Sequence, residues 1–256
     1  MRRPRWYKME QIYTIPVNEA FDACAHEGEA EVGAEQKKPS CPCPVCRLYE
    51  TLNENELSRI LGAAMMEPDV RIETNKEGFC PTHFRAMFHR KNRLGLALML
   101  ESHLDTLRED LAPSLVGGLL KGVGTGAVSR AQKLEGNCYI CRRIDEHFAH
   151  MIDTVIYLYR TEEDFRRKFA RQPFFCLPHY RMLAEAARAR LPKKLYAEFY
   201  HDLERVTLDA LDTLREDVSW FCKKFDYRYE NEPWYNAKDA VERAIAFLSG
   251  GEASHS

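Results

Sequence analysis

Cysteine and histidine occur in this sequence at spacings that suit metal binding. One stretch is Cys43-Pro-Val-Cys46, followed after 33 intervening residues by Cys80-Pro-Thr-His83. A second stretch is Cys138-Tyr-Ile-Cys141, followed after 34 intervening residues by Cys176-Leu-Pro-His179. Each stretch supplies three thiols and one imidazole, a closed set of four ligands of the kind that structural zinc prefers.

We expect each stretch to close on itself around one ion. A Cys and a His three positions apart on the first turn of a helix lie on one face, and the N–H groups at a helix start favour thiolate over thiol. The predicted cofactor is Zn²⁺, two per chain, in a structural role because the protein fills all four positions. The predicted ligands are Cys43, Cys46, Cys80 and His83 for one ion, and Cys138, Cys141, Cys176 and His179 for the other.

Other roles for the Cys-x-x-Cys pairs stay open. A thiol redox pair is one of them, although no thioredoxin-like βαβ pattern surrounds either pair. An iron–sulfur cluster with three cysteine ligands and one histidine ligand is another. Attachment of c-type haem is excluded because Arg47 and Arg142, rather than His, follow the pairs. We favour zinc.

The remaining cysteines and histidines carry weaker signals. His147 and His150 follow the second Cys-x-x-Cys at helical spacing and are the alternative metal ligands. Cys222, near the end of a long helix, is predicted to be a small buried hydrophobe. We assign no metal role to Cys24, His26 and Cys41, although Cys41 could substitute as a ligand.

The two stretches resemble each other beyond their ligands. The segment Phe79–Met87 matches Phe175–Leu183 in having an aromatic before the Cys, an aromatic after the His and then an Arg. Such a match at nearly equal spacing is not easily produced by chance. We infer the duplication of one helical unit.

Hydrophobic periodicity predicts helices along most of the chain. Apolar residues recur every three or four positions, most clearly from Leu195 to Phe221. Almost no alternating pattern typical of strands is present. The predicted class is therefore all-α, a helical bundle built from two duplicated units, each clamped by a Cys3His site. Other predicted helices cover residues 46–64, 81–111, 141–159, 162–170 and 176–191.

The predicted domain organisation follows the duplication. Residues 1–112 form an N-terminal half that includes a loose polar loop at 24–42. Residues 113–137 are rich in glycine and are predicted to be a linker. A phosphate-binding loop at 122–126 is disfavoured, because no strand precedes it and no Gly-Lys-Ser/Thr ending follows. Residues 138–256 form the C-terminal half.

Composition disfavours several classes of protein. The 256 residues include 37 basic and 39 acidic ones, so that no strong field attracts nucleic acid or an anionic membrane, and neither is expected as a partner. No apolar run reaches the roughly 20 residues that span a bilayer, and the basic start lacks the apolar segment of a signal peptide. We expect a protein of the reducing cytoplasm, where nine cysteines suit metals better than disulfides.

The segment from Asp217 to Tyr235 is unusually aromatic. We interpret it as a cap on the core, with a pocket or a partner groove as the alternative. Neighbouring basic residues, among them Lys223, Lys224 and Arg228, would suit an anionic ligand. The aromatic residues are Trp220, Phe221, Phe225, Tyr227 and Trp234.

Seven segments spread over nearly the whole chain form a specific combination. They are Tyr13–Phe21, Cys43–Cys46, Met66–Asn75, Gly78–Cys80, Asn92–Met99, Phe175–Tyr180 and the tail Trp220–Trp234. This combination resembles an uncharacterised bacterial family, domain of unknown function 6062. The resemblance implies a single bacterial protein unit whose Cys and His positions belong to a shared pattern. It implies no activity, and the loop 24–42 looks longer than is usual in the family.

The sequence favours a function other than catalysis. With two closed-looking sites and no arrangement of nucleophile and base, the leading hypothesis is a zinc-binding helical scaffold or adaptor for an unknown protein or small-molecule ligand. A second hypothesis is a thiol-redox or metal-responsive switch, in which oxidation of the same cysteines ejects the metal. A third is an enzyme with a pocket between the halves, where Asp69, Arg71 and Glu73 could act.

Overall fold

The computed structural model describes residues 6–26, 43–112 and 124–251, without the side chains of residues 6–11 and 26. Within these ranges the chain forms eleven α-helices, two short 3₁₀ segments and no strand, which confirms the all-α class. None of these described helices is both long and apolar enough to cross a bilayer. The helices are α1 (Trp6–His26), α2 (Pro44–Ile60), α3 (Pro68–Glu77), α4 (Pro81–His89), α5 (Arg93–Leu111), α6 (Thr125–Gly136), α7 (Tyr139–Thr161), α8 (Glu163–Ala170), α9 (Leu177–Arg190), α10 (Lys193–Lys223) and α11 (Ala240–Ser249). The 3₁₀ segments are Ala63–Met66 and Tyr227–Tyr229.

The chain divides into two compact units. The first comprises the described residues up to Glu50 together with those from Phe148 onward, and is called the discontinuous unit below. The second is Thr51–His147, called the central unit. These units differ from the predicted halves 1–112 and 138–256. Their boundaries fall within α2 and α7, and the discontinuous unit combines the first described residues with the last ones.

Aromatic side chains fill the core of the discontinuous unit. Helix α1 packs on α8, and both α8 and α9 pack on α10. The Phe169 ring lies 4.8 Å from the ring of Phe175 and 4.9 Å from that of Phe199, and Phe21 lies 5.0 Å from Phe165. These rings are all fully buried. Burial of such large apolar surfaces is the main stabilising contribution here.

Arginine side chains tie the helices of the central unit together. Helix α5 packs against α3, α4 and α6. Arg71 on α3 donates hydrogen bonds to the backbone carbonyls of Met65 and Leu98 at 2.8 and 2.7 Å. Arg130 on α6 donates to the carbonyl of Asn75 at 2.7 Å. Met65 and Asn75 lie near the ends of helical segments, where carbonyls lack a partner within the helix, whereas Leu98 lies within α5.

Two predicted helical stretches differ from the observed ones. The helix expected over 81–111 is divided into α4 and α5, because Asn92 caps α5 by accepting a hydrogen bond from the Gly95 N–H at 2.8 Å. The helix predicted over 46–64 spans Pro44–Ile60, and Pro68 begins the separate helix α3, where a missing N–H costs nothing.

The predicted loop and linker fall largely outside the described residues. Residues 27–42 and 113–123 lie there, and Cys41 with them. The end of the predicted linker is helical, since Thr125–Gly136 forms α6. Gly124, at the start of this helix, has a φ of 79°, which a residue with a side chain rarely adopts.

Candidate metal centres

Each predicted half-site is the start of a helix. Cys80 and Cys176 are the N-cap residues of α4 and α9, with nearly equal φ/ψ angles of −72°/162° and −65°/156°. Cys43 and Cys138 directly precede α2 and α7. The last residue of each motif therefore lies on the first helical turn, on the same face as the Cys three positions earlier. Proline at the first or second helical position, as in α4 and α9, suits these starts.

The first group of ligands, called the buried cluster below, lies in the discontinuous unit. It consists of Cys43, Cys46, Cys176 and His179, whose ligand atoms all lie within 4.8 Å of one another. His179 Nδ1 is 3.1 Å from Cys176 Sγ, 3.4 Å from Cys46 Sγ and 3.7 Å from Cys43 Sγ. The Sγ atoms of Cys46 and Cys176 are 3.6 Å apart. All four side chains are at most 1% exposed, so that water has no direct access to them.

The second group, called the partly exposed cluster, lies in the central unit. It consists of Cys80, His83, Cys138 and Cys141, again with ligand atoms within 4.8 Å of one another. His83 Nδ1 is 3.2 Å from Cys80 Sγ and 3.3 Å from the Sγ atoms of both Cys138 and Cys141. Cys80 Sγ is 3.8 Å from Cys141 Sγ. His83 and Cys138 are buried, whereas Cys80 and Cys141 are partly exposed.

The structure brings all eight predicted residues together, but the predicted pairing of the half-sites is wrong. Cys43 and Cys46 join the Cys-x-x-His of the second stretch, and Cys138 and Cys141 join that of the first. The half-sites are chemically alike, so either pairing gives a Cys3His set. Long-range packing decides between the two pairings.

A backbone hydrogen bond shows how packing fixes the pairing in the central unit. The Tyr139 N–H donates to the Gly78 carbonyl at 3.0 Å, which places the start of α7 beside the start of α4. Gly78 has a φ of 69°, and a Cβ built on it would lie 3.0 Å from Leu134 Cδ2. A side chain at this position would therefore be strained and crowded. The close approach of the start of α7 to the start of α4 depends on glycine here.

The donor separations fit a single tetrahedral ion. Bonds of about 2.3 Å to sulfur and about 2.0 Å to nitrogen separate the donors of such an ion by roughly 3.5 to 3.8 Å. The separations given above run from 3.1 to 3.7 Å in the buried cluster and from 3.2 to 3.8 Å in the partly exposed one. Sulfur atoms joined by a disulfide would be about 2.05 Å apart, and the described cysteines are thiols. Both clusters can hold a metal ion.

Hydrogen bonding in both clusters favours thiolates. Hydrogen bonding to Cys141 lowers the pKa of Cys138 to about 3, aided by His83 and by backbone N–H groups and opposed by burial. Burial is the largest influence on Cys43 and raises its pKa, but hydrogen bonds from the other three members of the buried cluster outweigh it. The pKa of Cys43 is therefore well below that of an ordinary thiol. Metal ions bind the thiolate form, so the thiols are prepared for ligation.

An asparagine orients the histidine of the partly exposed cluster. The His83 Nε2–H donates to Asn53 Oδ1 at 3.1 Å, which leaves the Nδ1 lone pair directed at the three sulfur atoms. Such outer-sphere hydrogen bonds fix the tautomer and strengthen the ligand. Sequence reasoning missed Asn53, since no local motif links it to His83, which is 30 positions away.

The buried cluster has a more apolar environment. The His179 ring lies 5.7 Å from the Phe148 ring, and Phe148 in turn meets Tyr49 edge-on at 5.3 Å. The Gly251 N–H donates to Cys46 Sγ at 3.3 Å. The apolar rings exclude water, and the N–H group supports the negative charge of a metal-bound thiolate.

The other candidate ligands lie outside both clusters. His147 Nε2 is 3.4 Å from an Arg143 nitrogen, and the ring of His150 stacks on Tyr13 at 5.8 Å. Cys24 is buried and Cys222 is exposed, so the prediction that Cys222 is buried is wrong. Cys222 lies on the last turn of α10, where the neighbouring Lys223 is exposed as well.

The aromatic tail is only partly a cap on the core. Phe225 and Tyr227 are 75% and 84% exposed, so for these two residues the prediction of a core cap is wrong. Trp220 is half-buried, and its Nε1–H donates to the Pro233 carbonyl at 3.0 Å. A groove of about 570 Å³ lies beside Trp220, Lys223 and Tyr235.

The three residues considered for catalysis have structural or surface roles. Arg71 binds two backbone carbonyls, and Glu73 forms a surface ion pair with Arg142 at 3.4 Å. Asp69 lies in the first turn of α3, where a carboxylate stabilises the helix start.

Comparison with known proteins assigns the chain to a family. A sequence model described as a family of unknown function, DUF6062, matches residues 8–255. The chain is a member of DUF6062. No curated protein and no solved structure matches it. For this DUF6062 protein the two clusters are thus the strongest source of functional inference.

Proposed function

We propose that this DUF6062 protein is a zinc-binding helical scaffold whose two Cys3His sites are structural. The observation that carries the proposal is the convergence of eight donors into two groups of tetrahedral size. Four protein donors complete the coordination of Zn²⁺ and leave no position for a catalytic water. Each ion would hold two helix starts together.

The donor spacing favours zinc over an iron–sulfur cluster. In a cluster of two or more irons, donors that bind different irons are farther apart than the donors of a single ion. Here all four donors of each group lie within 4.8 Å of one another. A set of three thiolates and one imidazole is common for structural zinc.

Charge supports the same assignment. Three thiolates and a neutral imidazole around Zn²⁺ carry a net charge of −1. Two helix N-termini meet at each group, and their partial positive charges favour an anionic centre. Thiolates persist in a reducing compartment, so we place the protein in the cytoplasm.

The scaffold would present surface residues to a protein or a small-molecule ligand. The groove beside Trp220, Lys223 and Tyr235 is our candidate contact surface. It combines aromatic faces with a cation, a pairing that occurs often in recognition sites.

Zinc stoichiometry tests both the metal and the pairing. Purified protein should contain about two zinc per chain by elemental analysis. The double variant Cys43→Ala/Cys176→Ala removes two donors of one group and should retain one zinc. The matched double variant Cys43→Ala/Cys80→Ala damages both groups and should retain none. Equal zinc contents in the two variants, or a wild-type protein without zinc, would contradict the proposal.

The exposure of two ligands favours a second candidate function, that of a metal-responsive switch. Cys80 and Cys141 are partly exposed, and a solvent-accessible thiolate reacts with oxidants and competing chelators. Under this reading, loss of the ion from the central unit would change its packing. A mild chelator would be used to remove the ion of the partly exposed cluster while the buried cluster keeps its own. Circular dichroism recorded before and after this treatment would detect such a change.

A further inference from the structure

The two clusters differ in the access of reagents to their sulfur atoms. Every ligand of the buried cluster is at most 1% exposed. In the partly exposed cluster Cys138 is 7% exposed, while Cys80 and Cys141 are more exposed still. An oxidant in solution therefore reaches Cys80 and Cys141 first, since reactivity follows thiolate character and exposure.

These two exposed thiols are also neighbours. Their Sγ atoms lie 3.8 Å apart, although the residues are 61 positions apart in the sequence. One belongs to the start of α4 and the other to the first turn of α7. A bond between them would join the same two helix starts that a metal ion in this cluster would join.

We propose that Cys80 and Cys141 form an oxidant-sensitive pair, in which a hydroperoxide converts the metal-bound thiolates into a disulfide and releases the ion. The inference rests on the proposed function, because it requires an ion in this cluster. The oxidant is a hydroperoxide such as hydrogen peroxide, which accepts the two electrons. The central unit then exchanges a metal link for a covalent one.

The chemistry proceeds in two balanced steps. One thiolate attacks the peroxide O–O bond, which yields a sulfenic acid and, from hydrogen peroxide, a hydroxide ion. The second thiolate attacks the sulfenic sulfur, so that the S–S bond forms and a second hydroxide leaves. Two thiolates and one hydrogen peroxide thus give one disulfide and two hydroxide ions.

The ion leaves because it loses half of its donors. Only Cys138 and His83 remain as ligands, and two donors hold Zn²⁺ far more weakly than four. The disulfide still connects α4 with α7, which a bond between Cys138 and Cys141 on one helix start would not do. The pairing of Cys80 with Cys141 therefore preserves the contact between the two helix starts while it removes the metal.

Peroxide titration of the full chain tests the inference. We would use a Cys41→Ser/Cys222→Ser background, which removes an exposed thiol and one outside the described residues, and follow zinc release with a chromogenic chelator. One of two zinc ions should leave at least ten times faster than the other. Peptide mapping without reduction should find the Cys80–Cys141 disulfide, and dithiothreitol with added zinc should restore two ions.

Matched N-cap variants provide the control. Aspartate caps helices well and can bind zinc through oxygen, so Cys80→Asp and Cys176→Asp change equivalent positions in the two clusters. Cys80→Asp should slow the fast release by at least tenfold. Cys176→Asp should leave the release from the partly exposed cluster unchanged.

The outcomes separate this inference from the proposed function. Protein that contains no zinc before peroxide is added contradicts the proposed function. Protein that holds two zinc ions and releases both at one rate, or forms only a Cys138–Cys141 disulfide, overturns the inference alone. Rapid release that persists in Cys80→Asp overturns it as well.

Discussion

The buried cluster and the partly exposed cluster contain the same ligands in different surroundings. Aromatic rings and a backbone N–H surround the first, whereas an asparagine and solvent border the second. The ligand types determine which metal can bind. The surroundings determine how readily water, oxidants and chelators compete for it, so two sites of one composition are expected to behave differently.

Loss of one ligand should separate the two clusters most strongly. We expect Cys176→Ala to abolish cooperative folding of the discontinuous unit, because structural zinc contributes on the order of 10 kcal/mol against a stability margin of about 5–15 kcal/mol. Cys80→Ala should also release its ion but should cost less, since water can solvate the ligands that remain at this partly exposed cluster. Urea unfolding followed by circular dichroism, with Cys222→Ala as a control, would measure both. Equal losses would contradict the comparison.

Acidification should affect the partly exposed cluster through Cys138. The pKa of this thiol is lowered to about 3 from an ordinary 9.0, so its thiolate adds stability that is fully present above pH 9 and is lost as the pH falls through about 3. In metal-free protein at about pH 5, ultraviolet thiolate absorbance should exceed that of Cys138→Ser by one thiolate. If the two absorbances were equal, the lowered pKa would be disproved. Cys222→Ser is the control.

The hydrogen bond from His83 to Asn53 should tune the affinity of one cluster only. Asn53→Ala should weaken zinc binding there by about 10- to 100-fold, the usual effect of losing an outer-sphere partner. Asn53→Asp keeps an acceptor and should retain the affinity. Competition with a zinc-binding dye would measure the zinc affinity of each cluster. A change of affinity in the buried cluster would contradict the expectation that Asn53 acts only on the partly exposed one.

Surface ion pairs next to the partly exposed cluster should matter least. Arg142 is 2.8 Å from Glu77 and 3.0 Å from Glu146, but its side chain is 40% exposed. Arg142→Ala should lower the free energy of unfolding by less than about 1 kcal/mol. A larger loss in thermal unfolding would show that this region depends on charge as well as on metal. Arg190→Ala, which removes an ion pair with Asp153, is the equivalent change in the discontinuous unit.

The pair of donors at each helix start could be predicted from the sequence. Residue type and a spacing of three place two donors on one face of a helix start, whatever the rest of the chain does. The long stripe from Leu195 to Phe221 likewise predicts α10, since a helix of that length repeats its pattern many times. Both inferences use information within a few turns.

Which two pairs of donors share one ion could not be predicted. Cys46 can complete a Cys3His set with Cys80 and His83 or with Cys176 and His179, and nothing in the motifs distinguishes these pairings. The choice depends on contacts between distant parts of the chain. One of them is the hydrogen bond from the Tyr139 N–H to the Gly78 carbonyl, which joins residues 61 positions apart. Asn53 was missed for the same reason. By contrast, the break before α5 had a local signal, because Asn92 is a favoured capping residue.

The exchanged pairing has a consequence for the order of events during synthesis. The central unit is one continuous stretch of chain, so its ion can bind soon after Cys141 has left the ribosome. Cys46 must wait for Cys176, which is 130 positions later. At about 5–20 residues per second this delay is roughly 6 to 26 s. During that interval Cys43 and Cys46 cannot yet complete their group of four ligands. A prompt supply of metal and a reducing environment are therefore most valuable during synthesis.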